Sequence, residues 1–283
     1  MTDTTFYDGG QKGGDTQDIH AAAPFADERG HPKDDAHVRL SPLIASLIET
    51  HKQRVDLHRA EKSMTLRIKA KCRRLCGGDK TEAGKLYRSI MNGQGHKLAQ
   101  TALAVSAPFL QARKLLHEQR ADCEKQMTKM AKELPVWPWV ESVRGFGALS
   151  LAGVVGEAGD LSNYATVSRL WKRMGLAVIG GERQRKVTTD KALEMGYSPQ
   201  RRSLVWNLGD TMLKGVIRKV KDGDEDTGER ISLNEYGQIY LDRKAYERPR
   251  VDSDGHAHNR AKRYMEKRLL RDLWKSWTAP DAS

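Results

Sequence analysis

A glycine-hydrophobic-glycine turn is the feature of this sequence with the clearest chemical use. Gly145-Phe146-Gly147 lies between two short segments that can form helices, and Phe146 is expected to fill the angle between them. Glycine allows positive φ and a close approach to a partner, because no Cβ intervenes. The unpaired amides of the helix that opens at Ala148 would attract an anion such as phosphate. We therefore predict that this turn, with Arg144 before it, contacts the DNA backbone.

Basic side chains further along the chain would extend that interface. Lysine and arginine contacts to phosphates supply most non-specific affinity for nucleic acid, and they position a protein without reading sequence. The complete predicted DNA-binding set is Arg144, Gly145, Phe146, Gly147, Ala148, Arg183, Arg185, Lys186, Arg201 and Arg202.

The charge of the chain agrees with a polyanionic partner. Its 283 residues include 49 Lys and Arg against 37 Asp and Glu, a net charge of +12. Residues 1–36 hold three basic and eight acidic side chains, so the remainder carries +17. A basic body with an acidic tail suits nucleic acid. The alternative is charge that serves only solubility.

Composition argues against a membrane protein and against a metal site. Only 38% of residues are hydrophobic and the mean hydropathy is −0.68, so neither a membrane segment nor a signal peptide is predicted. The sparse cysteines indicate a cytoplasmic protein, and Cys72 and Cys76 lack the second pair of a zinc site. The acidic segment 222–229 resembles the start of a calcium loop. However, Thr227 stands where such a loop needs Gly, and Leu233, beyond the segment, stands where it needs Glu. No metal and no cofactor is predicted.

The elements that would position these residues are mostly helical. We predict a disordered acidic tail over 1–36 and a helical coiled-coil region over 37–134, whose long helices pair as a hairpin or form a homo-oligomer. The first helix begins at Ser41-Pro42 and ends at Gly77-Gly78, the second covers 81–91, and the third follows Pro108 with heptad-like apolar spacing. His51 and His58 lie on the apolar stripe of the first helix and are expected to be paired core or interface residues.

The second half is predicted to be a compact helical domain that contains a helix-hairpin-helix. A rigid linker over 135–139 marks the boundary, and the DNA-binding domain runs over 135–221 with helices at 166–174 and 199–220. A polar loop region follows over 222–255. A basic C-terminal helix over 256–278 ends the chain, and its tryptophans are expected to dock it onto the domain.

Several short motifs after residue 134 occur in an order typical of a known family. They are Val143–Gly147, Gly156–Leu161 with Tyr164, Gly175-Leu176, Tyr197-Ser198 and Arg202–Leu204. On these motifs residues 134–217 resemble the C-terminal domain of the insertion-sequence-one-ten transposases, which are recombinases guided by a bridge RNA. The resemblance implies a role in DNA transposition and recombination in a mobile element, with a guide RNA as a further partner. The family also places a coiled coil before this domain.

Two parts of the family pattern are missing. The family's ribonuclease-H-like domain carries four catalytic acids, whereas residues 1–133 show neither a strand-rich pattern nor such a quartet. The family's nucleophilic serine follows Gly-Leu, whereas residues 177–182 contain no serine. Ser198 and Ser203 are the remaining candidates for a nucleophile, which would need a base and arginines around the phosphate. Ser198 has a simpler use as the cap of the following helix.

The sequence therefore favours a DNA-binding relative of these transposases that lacks its own nuclease half. One alternative is an active serine recombinase that works with a partner subunit. Another is a non-enzymatic coiled-coil assembly protein that binds RNA.

Overall fold

The protein is mostly helical, as predicted. The computed structural model describes residues 41–188, 190–222 and 225–279, and the predicted acidic tail lies outside them. The helices of the described residues are α1 (Pro42–Leu75), α2 (Lys80–Asn92), α3 (Ala99–Lys132), α4 (Trp137–Ser142), α5 (Ala148–Ala158), α6 (Val167–Arg173), α7 (Lys191–Met195), α8 (Pro199–Val216), α9 (Glu235–Glu247) and α10 (Asp254–Thr278). Two antiparallel hairpins join β1 (Val178–Ile179) to β2 (Glu182–Arg183), and β3 (Ile217–Asp222) to β4 (Glu225–Ser232).

The long helices α1 and α3 lie side by side in opposite directions. Arg54 of α1 donates to Glu124 of α3 at 3.0 Å, and Glu61 accepts from Arg120 at 2.8 Å. Because higher numbers on α1 meet lower numbers on α3, the two helices are antiparallel. His58, expected on the apolar stripe, is exposed instead, whereas the predicted burial of His51 is confirmed.

A small separate core closes the far end of these helices. It contains the buried side chains Ile68, Cys72, Ala83, Leu86 and Ala102. Helix α2 starts at Asp79, whose carboxylate accepts from the amides of Thr81 and Glu82, and it ends at Gly93, which has a φ of +71°. We call residues 62–117, which contain this core, the distal tip.

The predicted start of α3 after Pro108 is wrong. The helix begins at Ala99 and contains Pro108 in its interior. Proline removes the hydrogen bond to the carbonyl of residue 104. Ala104 is exposed, so that carbonyl can bind water, while burial of Ala102 and Ser106 holds the first turns in place. Tertiary packing thus outweighs the local preference.

The main core forms around α5, which is apolar on nearly every side. Leu151, Val154 and Val155 are fully buried, and the near ends of α1 and α3 pack against them through Leu47 and Met127. Residues 135–139 are therefore not a linker between domains. The segment contributes the buried side chain of Val136 to the core and starts α4, and the described residues form one compact unit.

The predicted polar loop over 222–255 is also wrong. Helix α8 stops at Val216, and the chain continues as β3, pairs with β4, and then forms α9. The hairpin strands are largely polar, so they lack the apolar alternation that identifies a strand. Helix α9 has its own signal, because Asn234 caps it by accepting from Gly237 and because Tyr236 and Tyr240 bury one face.

The predicted docking of the C-terminal helix is confirmed. Leu269, Leu270 and Leu273 of α10 are fully buried. The indole of Trp274 donates to the carbonyl of Tyr164 at 3.0 Å, and that of Trp277 donates to Asp160 at 2.9 Å. None of the helices in the described ranges is long and apolar enough to cross a membrane.

Candidate nucleic-acid interface

The glycine turn joins α4 to α5 in the way the sequence indicates. Gly145 has a φ of +87°, a conformation that favours glycine. Phe146 is 3% exposed and packs edge-to-face on Trp139, with 6.3 Å between the ring centroids. The turn is thus a rigid connection held by a buried aromatic side chain.

The two glycines of the turn have different roles. A Cβ on Gly145 would lie 3.2 Å from both the Cα and the carbonyl oxygen of Met212, and a Cβ on Gly215 would lie 3.1 Å from the Cα of Gly145. Gly145 therefore serves the packing of the turn on α8. Gly147 is exposed, and a Cβ there would meet nothing within 4 Å. Only Gly147 leaves backbone open to a partner.

Arg144 is anchored beside the turn. Its Nε donates to the carbonyl of Gly215 at 2.8 Å, and its own carbonyl accepts from Asn234 at 3.3 Å. Gly215 lies in the last turn of α8, whose carbonyls have no intrahelical donor. Arg144 thus caps α8, while its exposed guanidinium keeps its Nη groups free within the described part of the chain.

The other end of α8 gathers most of the remaining predicted arginines. Ser198 caps this helix, since its Oγ accepts from the amide of Arg201 at 3.4 Å. Arg201 lies 3.3 Å from a carboxylate oxygen of Glu157, and Arg202 donates to Glu266 at 3.0 Å. These two arginines are therefore paired internally.

Glu157 is the centre of a buried polar network. Its side chain is 8% exposed and lies 3.1 Å from the ring Nε2 of His51 of α1, and Gln200 of α8 donates to it. Burial raises the pKa of Glu157, but the hydrogen bonds from His51 and Gln200 and the charges of His51 and Arg201 lower it to about 2. The charged carboxylate thus ties α1, α5 and α8 together. The Nδ1 of His51 is buried without a partner among the described residues.

Two further arginines that the sequence analysis missed complete this region. Arg173 donates through Nε to the carbonyl of Glu157 at 3.1 Å, and Arg263 of α10 donates to the carbonyl of Ala177 at 3.1 Å. Burial lowers the pKa of Arg263 to about 10, and the nearby positive charges of Arg202 and Arg183 contribute to this shift. Glu157 belongs to the motif Gly156–Leu161, so the sequence contained a signal for this acidic residue and its partners. Arg263 is hidden within a basic helix and gave no separate signal.

We call these five guanidinium groups the arginine cluster; its members are Arg173, Arg183, Arg201, Arg202 and Arg263. Among the described residues, two carboxylates, Glu157 and Glu266, make ion pairs with its members. Glu266 is fully buried, and burial raises its pKa to about 7 despite the charges of Arg202, Lys262 and Arg263. The cluster therefore carries an excess of positive charge at the N-terminal end of an 18-residue helix.

The predicted basic loop lies beside the cluster. Arg183, Arg185 and Lys186 are exposed, and Arg185 pairs with Glu182 at 3.3 Å. The loop borders a cavity of about 660 Å³ between the first hairpin and α7, where Lys191 and Glu194 form the opposite wall. This cavity is open and contains charges of both signs.

The structure separates the predicted DNA-binding set into two surfaces. Arg144–Ala148 lie against the C-terminal end of α8, whereas Arg201 and Arg202 lie at its N-terminal end. With a rise of about 1.5 Å per residue, about 20 Å separates Arg202 from Gly215. One phosphate group therefore cannot contact both surfaces at once.

Neither serine candidate is set up as a nucleophile. The Oγ of Ser198 accepts the helix-capping bond, so its predicted capping role is confirmed. Ser203 is exposed on α8 and makes no side-chain hydrogen bond within the described residues. A nucleophilic serine needs a base within hydrogen-bonding reach.

No family model matches this chain, and neither the curated proteins nor the solved structures include a match. Among the described residues no group of three or more His, Cys, Asp or Glu side chains could hold a metal ion.

Proposed function

We propose that this chain is a DNA-binding protein related to the insertion-sequence-one-ten transposases and that it acts without a nuclease half of its own. One observation carries the proposal. Glu157, Gly175, Tyr197 and Arg202 come from four separate motifs of the resemblance, and they meet at the N-terminal end of α8. A Cβ on Gly175 would lie 3.1 Å from the side chain of Arg202 and 3.6 Å from that of Tyr197.

The charge balance at this end of α8 supports a phosphate ligand. Five guanidinium groups share two carboxylates, so mutual repulsion remains when no ligand is bound. A phosphodiester would relieve that repulsion, and the dipole of α8 also favours an anion there. Arg183 is exposed and forms no ion pair within the described residues, so it is the member best placed to reach a DNA backbone.

The glycine turn adds a second contact in this proposal. We interpret α4, the turn and α5 as a helix-hairpin-helix whose open edge is Gly147. The backbone amides at the start of α5 and the free Nη groups of Arg144 would then contact a neighbouring phosphate. The separation of about 20 Å along α8 corresponds to about six base pairs of duplex.

Binding of a duplex of about 30 base pairs, measured by fluorescence anisotropy over a range of salt concentrations, tests the proposal. Gly147→Val should weaken binding. The free protein has room for the new side chain, but the side chain would occupy the space that the DNA backbone needs. Gly255→Val is the matched control, since Gly255 is also exposed near the start of a helix and has only an ordinary contact at 3.9 Å. Arg183→Gln should flatten the dependence of log Kd on log salt by about 0.9 per lost phosphate contact.

Strand cleavage scored in the same samples separates the proposal from an active recombinase. If the unchanged protein cleaves DNA and Ser198→Ala or Ser203→Ala abolishes the cleavage, the protein is a nuclease and that part of the proposal is wrong. Binding that is weak and insensitive to salt would overturn DNA binding itself and leave the assembly alternative.

A further inference from the structure

The distal tip carries far more positive charge than its size requires. Residues 62–117 include twelve Lys and Arg but only two acidic residues, Asp79 and Glu82. The basic residues are Lys62, Arg67, Lys69, Lys71, Arg73, Arg74, Lys80, Lys85, Arg88, Lys97, Arg113 and Lys114. The charge comes from all three helices of the tip, so it is a property of this surface and not of one helix.

Most of these cations have no ion-pair partner. Lys85 pairs with Glu82 at 2.8 Å, Arg113 with Glu61 at 3.5 Å, and Lys114 with Glu118 at 4.0 Å. The other nine form no ion pair within the described residues. They lie on α1, α2 and the segment before α3, where eight of the nine are exposed and Lys71 is half-buried.

This concentration of like charge opposes folding. Unpaired cations at close range repel one another, and the tip has only a small core to offset the repulsion. A polyanion that neutralises several of them at once would remove the repulsion and release its own counterions. The charge pattern thus fits a nucleic-acid backbone.

The aromatic residues of the tip favour a duplex over a single strand. The ring of Tyr87 is covered by Lys69 at 4.9 Å, and that of Phe109 by Lys71 at 5.1 Å and Arg67 at 5.9 Å. Both rings are half-buried. Proteins that bind single strands offer free rings on which bases stack. The tip offers cations above its rings and therefore suits phosphates whose bases are already paired.

We propose that the distal tip is a second DNA-binding surface, which contacts the phosphate backbone of a duplex through its unpaired lysines and arginines. Helix α1 connects it to the main core and is about 50 Å long at about 1.5 Å per residue. The base of the tip lies close to α8, because Arg59, three residues before Lys62, donates to Gln200 at 2.7 Å. Arg74 lies about 22 Å further along the helix than Arg59, so the tip extends away from α8. The inference shares the class of partner with the proposed function, but it depends on different residues.

The test compares two triple variants of the full chain in the anisotropy titration. Arg74→Gln, Arg88→Gln and Lys97→Gln together remove from the tip three exposed cations that form no ion pair within the described residues. Lys129→Gln, Arg169→Gln and Lys275→Gln together remove three exposed, unpaired cations elsewhere and are the matched control. If all three tip residues contact phosphates, the slope of log Kd against log salt should flatten by about 2.7 in the tip variant, and by much less in the control.

Equal slopes for the two triple variants would overturn the tip as a binding surface. If Gly147→Val and Arg183→Gln weaken binding while the tip variant does not, the proposed function holds and this inference fails. If only the tip variant weakens binding, this inference holds and the surfaces on α8 are wrong. Absence of duplex binding by the unchanged protein would overturn both.

Two other occupants of the tip would give different results. Binding of an RNA hairpin that depends on the tip, without binding of the DNA duplex, would overturn the choice of DNA. Leu66 and Leu115, which are 57% and 56% exposed in the tip, could instead join a second copy of the chain. In that case the tip variant would change the sedimentation mass and leave DNA affinity unchanged, which also contradicts the inference.

Discussion

The arginine cluster and the distal tip are both rich in cations, but they hold them in opposite ways. At α8, Arg201 lies against Glu157, Arg202 pairs with Glu266, and Arg263 donates to backbone carbonyls. At the tip, nine of the twelve cations form no ion pair within the described residues. Arg201, Arg202 and Arg263 are therefore part of the fold. The tip cations contribute less to it, through the contacts of Arg67, Lys69 and Lys71 with two aromatic rings and of Arg73 with the carbonyl of Gly78.

This difference shows why basic residues near a motif do not by themselves mark a binding surface. A buried guanidinium must be matched by acceptors, and removing an acceptor leaves an uncompensated charge. An exposed cation is solvated by water and has no such requirement, so it stays available to an external anion. The free energy of unfolding should therefore separate the two groups, with the largest losses at the arginine cluster and the smallest at the tip.

Removal of Glu157 should have the largest effect on stability. Glu157→Ala leaves His51 and Gln200 without their common hydrogen-bond partner and Arg201 without its opposite charge. A broken buried ion pair typically lowers the free energy of unfolding by about 3–5 kcal/mol. Urea denaturation measures this loss. Glu49→Ala, which breaks the exposed pair with Lys52 on α1, is the control and should leave the transition midpoint nearly unchanged.

The contribution of Glu157 should also depend on pH in a defined direction. Its pKa is lowered from 4.5 to about 2, so the stabilisation is present above pH 4.5 and is lost as the pH falls through 2. The stability difference between the wild type and Glu157→Gln should therefore shrink over that interval. A difference that stays constant from pH 6 to pH 2 would contradict the charged network.

The two glycines of the turn should respond unequally to valine. Gly145→Val forces a side chain into positive φ and against the backbone of Met212, which should lower the free energy of unfolding by about 1–3 kcal/mol or more. Gly147→Val should change it by less than about 0.5 kcal/mol, because the site is exposed and open. Equal losses in thermal denaturation would mean that both glycines serve the fold.

Glu266 should show the opposite pH behaviour to Glu157. Its pKa is raised to about 7, so the folded state holds the proton more tightly than the unfolded chain and stability falls as the pH rises from 4.5 to 7. Glu266→Gln removes this dependence. Relative to the wild type, the variant should therefore gain stability between pH 5 and pH 8, as measured by denaturation at both values.

The smallest effect is expected at the tip. Neutralising Arg74, Arg88 and Lys97 together should change the free energy of unfolding by no more than about 0.5 kcal/mol, because each is exposed and forms no ion pair within the described residues. Any shift should be stabilising, since like charges are removed. A clear destabilisation would show that the tip cations support the fold and would weaken the contrast with the arginine cluster.

Local signals in the sequence predicted much of this architecture. Ser41-Pro42, Gly93 and Ser198 mark helix ends where expected, and the aromatic residues of α10 dock as expected. The predicted start of α3, the predicted end of the 199–220 helix and the predicted polar loop over 222–255 were wrong, because contacts between residues far apart in the sequence decide these elements. Burial overrides Pro108, and the polar strands β3 and β4 exist only through their pairing.

The candidate site was only partly predictable for a related reason. Sequence placed Arg201 and Arg202 beside the motifs, but it could not show that Glu157 and Glu266 already hold them. It also gave the two glycines of the turn one role, although only the packing against α8 distinguishes them. Pairing across long sequence separations is what the pattern of residues does not contain.

The length of α1 gives the His51–Glu157 contact a mechanical consequence. The helix runs unbroken from Pro42 to Leu75, so its far end lies about 36 Å from His51. A tilt of about 10° about that contact would displace the far end by about 6 Å, close to the rise of two base pairs. Together with the bond from Arg59 to Gln200 at 2.7 Å, the contact at His51 thus fixes where the cations at the other end of the helix lie.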